Sequence, residues 1–138
     1  MRKYSYLYYL LTGSMVLMMI CGCSVTKSRT EKVQDLEYSI VRLEEQPEEI
    51  QILVEENKDT RMKMSYIDQG QEYIIVGYGE QATSGYSIEV TEVYETENTV
   101  NIDTNLLGPA SEEEIVEITT YPYVVICIKE NEKPVLYD

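Results

Sequence analysis

Catalysis in this chain of 138 residues, which has no histidine, would have to draw on its serines, its three cysteines or its 25 acidic side chains. A serine or cysteine nucleophile needs a base to take its proton, and without histidine that base would be lysine or a carboxylate. Ser84, Ser87 and Ser111 stand in no motif that singles one of them out. A carboxylate pair can hydrolyse a glycosidic bond, but it needs a cleft, and a small domain with a short helix offers little depth for one. Zinc lacks its usual ligands. The acids are scattered, with no Asp-x-Asp-x-Asp-Gly run for calcium and no phosphate loop. The expectation is a binding module rather than an enzyme, with no cofactor and no metal.

The cysteines point to attachment instead. Arg2 and Lys3 precede an uncharged, mostly apolar run from Tyr4 to Ile20, the pattern of a secretory signal. Ile20, Cys21, Gly22 and Cys23 then place an aliphatic residue three before a cysteine and a small residue just before it, which resembles a bacterial lipobox. Residues 1–23 are therefore read as a lipoprotein signal peptide, with Cys23 the lipid-bearing first residue of the mature chain. Two alternatives stay open: lipidation at Cys21, or an uncleaved helix. An acyl anchor holds through buried methylenes, each contributing about 0.8 kcal/mol, and two or more chains hold far better than one. All three readings put the rest of the chain outside the cytoplasm at a membrane surface. Residues 24–35 are polar and read as a solvated tether whose basic residues are Lys27, Arg29 and Lys32. With Cys21 removed and Cys23 acylated, Cys127 has no partner for an intramolecular disulfide, and its apolar surroundings predict a buried, inert thiol.

Loss of Arg2 and Lys3 with the signal would take the net charge from −14 to −16. Such a surface repels nucleic acid and anionic lipid headgroups. A basic partner, or simple solubility, fits it better.

The elements that must position any binding residues occupy 36–138. Leu36 to Leu43 reads as a first strand, with Tyr38, Ile40 and Leu43 facing a core. Pro47 suits the first turn of a helix that carries Ile50, Leu53 and Val54 on one face and ends near Asn57 or Lys58. Arg61 to Asp68 alternates through Met62, Met64 and Tyr66, and Asp68, Gln69 and Gly70 make a turn. Glu72 to Tyr78 is apolar without alternation, so both its faces should be covered. Gly77 and Gly79 suggest a bulge or the close approach of another backbone.

A turn rich in small residues then leads to Tyr86, Ile88 and Val90. The apolar phase slips to Val93, which predicts a bulge near Thr91 and Glu92. A hairpin turn at Thr96 to Asn98, an alternating strand from Val100 to Leu106, an apolar strand from Val124 to Ile128 and a short strand from Val135 to Tyr137 complete the domain. The expected class is α+β, mainly antiparallel β: a β-sandwich-like domain with one covering helix. Tyr78, Tyr86, Tyr121 and Tyr123 lie beside turns or breaks, where an aromatic ring can face a partner or support the core.

Val76, Gly77, Tyr78, Gly79 and Glu80, then Thr83, Ser84, Gly85, Tyr86, Ser87 and Ile88, form a pattern completed by Gly108 with Pro109 and by Thr120 to Val125. On these residues the region from Tyr73 to Ile128 resembles the domain at the C-terminus of PrcB, a lipoprotein subunit of a bacterial surface protease complex. Ser84 stands where a second glycine or a threonine is expected, and Ala110 where a Gly-Pro-Gly turn is more usual. The resemblance implies a lipid-anchored module that associates with a protease or another extracytoplasmic protein.

The Thr83 to Tyr86 turn is also similar to the Thr-Gly-Tyr loop of chagasin-type protease inhibitors, which would make Gly108 to Ser111 and Tyr121 to Tyr123 the other contact loops. The partner-binding candidates are accordingly Thr83, Ser84, Gly85, Tyr86, Gly108, Pro109, Tyr121, Pro122 and Tyr123. Recognition of envelope glycan through tyrosines is a third reading.

Overall fold

The computed structural model describes residues 31–111 and 114–138. The expected signal, Cys21, Cys23 and most of the expected tether lie outside the described residues. Among the described residues, eight strands and one α-helix follow in the order β1 (Gln34–Asp35), β2 (Ser39–Ile40), α1 (Glu48–Asn57), β3 (Arg61–Asp68), β4 (Gln71–Tyr78), β5 (Ser87–Glu95), β6 (Val100–Leu107), β7 (Tyr123–Lys129) and β8 (Val135–Tyr137). They form two four-stranded sheets, β1-β5-β6-β8 and β2-β7-β4-β3. The architecture is a β-sandwich with one helix on an outer face, an α+β fold.

The middle strands account for that shape. Ile74 and Val76 of β4 and Val124, Ile126 and Ile128 of β7 face Val93, Val100 and Ile102 across the two sheets. The intervening residues, Ile75 of β4 and Val125 of β7, face the opposite way and pack with Met62 under Ile50 and Val54 of α1. Each such side chain contributes about 1.5–3 kcal/mol when taken out of water. Strands covered on both faces have no need of polar alternation, which is why these two are nearly continuous apolar runs.

Several local expectations hold. The β3–β4 hairpin runs without a break from Arg61 opposite Tyr78 to Asp68 opposite Gln71. Gln69 (φ 49°) and Gly70 (φ 77°) close it with two left-handed residues, the turn whose twist matches the strands. The β5–β6 register shifts between Val90 and Glu92, where the apolar phase slips. Cys127 is buried and free.

Three expectations are corrected. The first strand is not one element. Leu36 donates to Val93 O in one sheet and Val41 to Val125 O in the other, so the segment crosses between sheets at their edge. Leu36 and Val41 make its core contacts, whereas Tyr38, Ile40 and Leu43 are exposed. Its start also reaches into the stretch read as tether, where Val33 N–H donates to Glu95 O at 2.8 Å. Pro47 stands just before the helix rather than in its first turn, and its carbonyl accepts from Ile50 and Gln51. The short strand β8 is present as expected and lies parallel to β6, while the other strand pairs are antiparallel. The loop after β7 carries the chain across to the other sheet, where Val135 and Tyr137 pack against the inter-sheet core.

Candidate functional site

Two segments pass from one sheet to the other at the same end of the sandwich: residues 79–86, from β4 to β5, and the segment from β6 to β7, described over residues 108–111 and 114–122. Backbone groups zip them together. Gln81 and Thr120 exchange N–H···O bonds of 2.8 and 2.9 Å. Thr120 Oγ1 donates to Thr83 O at 2.8 Å. Ser84 N–H donates to Val116 O at 3.0 Å, and Ser84 Oγ accepts from Val116 N–H at 2.9 Å. Ser84 thus holds the second crossover through both backbone groups of one residue, Val116, a geometric job for a small hydroxyl residue rather than a nucleophile's.

Gly79 fixes the start of the first crossover. It has φ 73°, and a methyl on it would stand 3.1 Å from the Thr60 carbonyl carbon and 3.2 Å from Asp59 O. The chain needs glycine there for both reasons. Glu80 N–H donates to Asp59 O, tying the crossover to the α1–β3 connection. Gly85 also has positive φ, 89°, and is exposed. Tyr86 is half-buried, its ring 4.0 Å from where a methyl on Gly108 would lie, so the two glycine-containing turns adjoin. Pro109 is half-buried beside them.

Thr83, Ser84, Gly85, Tyr86, Gly108 and Pro109 therefore share one end of the molecule. Pro122 adjoins through its carbonyl, which accepts from Tyr78 N–H at 3.1 Å. Tyr121 and Tyr123 turn away from this cluster toward α1. Lys58 Nζ lies 5.0 Å from the centre of the Tyr121 ring. Tyr123 packs with the helix-side core, its hydroxyl 3.4 Å from Gln46 Oε1. Both rings line an open groove of about 720 Å³ with Leu43, Ile52 and Lys58. Tyr78 is anchored as well: its hydroxyl donates to Thr104 O at 2.8 Å and lies 3.0 Å from Thr104 Oγ1.

Residues outside the expected set complete the surface. Ile115, Val116 and Ile118 are 52, 48 and 53% exposed, and Leu107, opposite Ser87 at the end of β6, is also exposed. Glu114 and Glu117, next to them in the chain, are also exposed. Exposed aliphatic residues interleaved with acidic ones have the composition of a candidate protein-contact surface. The sequence carried its signal as a short cluster of aliphatic residues in a stretch lacking the length and alternation of a strand. Among the described residues, no group of three or more histidine, cysteine, aspartate or glutamate side chains is placed to hold a metal ion.

Residues 72–129 match the family model described as PrcB C-terminal, less than half of the chain. The matched stretch runs from β4 to β7 and includes both crossovers, while α1, β3 and β8 lie outside it. No curated protein and no solved structure matches the chain.

Proposed function

We propose that this chain is a lipid-anchored extracytoplasmic binding module that takes a protein partner, a surface or secreted protease, on its crossover end. The observation that carries the reading is the row Ile115, Val116 and Ile118, left in water beside Thr83 to Tyr86 by crossovers that are themselves tightly hydrogen-bonded. A preorganised surface loses little freedom on binding, so more of its contact energy appears as affinity. The protease as partner class rests on the PrcB likeness of residues 72–129. Anchoring at Cys23 and export of the chain rest on the signal and lipobox pattern. Insertion of three loops into a protease cleft draws less support, because Tyr121 and Tyr123 face the α1 groove rather than the cluster of Thr83, Gly85 and Gly108.

Site-specific photocrosslinking on the full chain in its own membrane tests this. A photoreactive residue at Val116 should crosslink a protease, and one at Asn98, in the hairpin turn at the far end, should not. Crosslinks from Val116 to envelope saccharide would move the reading to glycan recognition, and equal protein crosslinking from both positions would remove the site. Cys23→Ala should release the chain from the membrane; release by Cys21→Ala alone would move the anchor there.

A further inference from the structure

β3 borders its sheet along all eight of its residues, and among the described residues β4 is its one strand neighbour. The tight turn at Gln69 and Gly70 puts Asp68 and Gln71 in a hydrogen-bonded pair. In an antiparallel ladder such pairs alternate, so Tyr66, Met64 and Met62 also bond β4. The far end confirms the phase: Tyr78, opposite Arg61, sends its N–H to Pro122 O on the β7 side instead. The N–H and C=O groups of Arg61, Lys63, Ser65 and Ile67 therefore point outward from the sheet. Among the described residues no proline, bulge or covering strand blunts this edge; its protection is the charge of Arg61 and Lys63, which discourages a strand of like charge and leaves an acidic one as the fit.

The side chains describe what would fit. Arg61 and Lys63 lie on the same face of β3, and among the described residues neither is in an ion pair. Arg61 rests over the Tyr78 ring at 5.5 Å, and Lys63 Nζ donates to Tyr137 O at 3.2 Å. In a chain with 25 acidic and 11 basic residues, two adjacent cations without a carboxylate are a specific charge feature. On the other face, half-buried Met64 and Tyr66 offer apolar contact beside α1.

We infer that the β3 edge is a second binding site, which takes an extended polypeptide segment as an added strand, with acidic side chains opposite Arg61 and Lys63 and apolar ones beside Met64 and Tyr66. Backbone pairing supplies the attachment and the alternating side chains the selectivity, the β-augmentation mode. A second copy is a poor occupant, since it brings the same basic pair and a net charge of −14. The chain's own N-terminal stretch joins the fold at β1, on the opposite edge of the sandwich from β3.

The test uses the full chain in mild detergent and a capped peptide of about seven residues, alternating valine and glutamate. Amide exchange read by NMR should slow about tenfold or more at Arg61, Lys63, Ser65 and Ile67, with Met64 and Tyr66 unchanged because they already bond β4. The same peptide with its alternate amides methylated, or with lysine for glutamate, should give no protection. Arg61→Glu/Lys63→Glu, both at exposed positions, should reverse the preference to the lysine peptide. Absence of protection at millimolar peptide, or protection indifferent to peptide charge, would overturn the inference. So would concentration-dependent protection of the four amides in the chain alone, which would assign the edge to a second copy.

Discussion

Two sets of neighbouring aliphatic residues have opposite fates in this molecule. Ile74, Ile75 and Val76, with Val124, Val125 and Ile126, are buried, whereas Ile115, Val116 and Ile118 are about half exposed. The difference is the backbone. β4 is hydrogen-bonded on both sides, by β3 and β7, and β7 by β4 and, over part of its length, β2, so successive side chains alternate between the inter-sheet core and the layer under α1. The 115–118 segment has no ladder. Its backbone is tied to the other crossover through Ser84, and its side chains are left outward. Consecutive apolar residues are buried here where the backbone is paired on both sides, and exposed where it is merely pinned.

The sharpest contrast is between Ile126 and Ile118. Ile126→Ala should cost about 2–5 kcal/mol, because the fully buried side chain leaves a cavity between the sheets. Ile118→Ser should stay within about 0.5 kcal/mol, as surface changes do. Denaturant midpoints of the two variants compare them directly, and a similar loss in both would erase the distinction.

Gly79→Ala comes next, at about 1–3 kcal/mol, since it combines positive φ with a methyl pressed on the Thr60–Asp59 backbone. Its thermal midpoint should drop; an unchanged one would mean that the crossover start is not pinned. Tyr78→Phe removes the hydroxyl that bridges β4 to Thr104 of β6 and should cost about 1 kcal/mol. Measured by urea unfolding, a neutral result would show that the sandwich end is held by the crossovers alone.

The smallest effect concerns a buried acid. Glu72 is 3% exposed with Oε2 unpartnered, and burial pushes its carboxyl above the usual range, while the Asn131 backbone and the Ser65 hydroxyl pull it back. Burial, with the Glu72 charge nearby, pushes Tyr137 up to about 12. A folded-state pKa raised above the unfolded one means that the native state holds its proton longer. That contribution is fully present below the unfolded pKa and is lost as pH rises through the folded one. Glu72→Gln should therefore flatten the decline in stability above the ordinary carboxylate range. An identical slope in the variant would show that Glu72 titrates normally.

Much of the fold was legible because its signals are local. The unbroken apolar runs, the Gln69–Gly70 turn and the phase slip before Val93 each report backbone geometry from neighbouring residues. Gly79 announced a close approach, and the approaching backbone is the α1–β3 connection. What escaped was non-local. Nothing in Leu36 to Leu43 says that the segment changes sheets, and nothing in Val135 to Tyr137 says that it pairs parallel with β6. In the candidate site, glycines and tyrosines drew attention as loop residues. Whether a ring faces a partner or the helix depends on which sheet face it leaves, and Tyr123 starts β7 on the α1 side. The aliphatic row went unrecognised because exposure is a property of the assembled end.

The most direct measurement pairs stability with binding in one variant, Val116→Ser/Ile118→Ser, made in the full chain. Its melting temperature should equal that of the unaltered chain, and protease capture from the extracytoplasmic fraction should be lost. Unchanged capture by the folded variant, or a large drop in melting temperature, would contradict the claim that this row is a binding surface separate from the core.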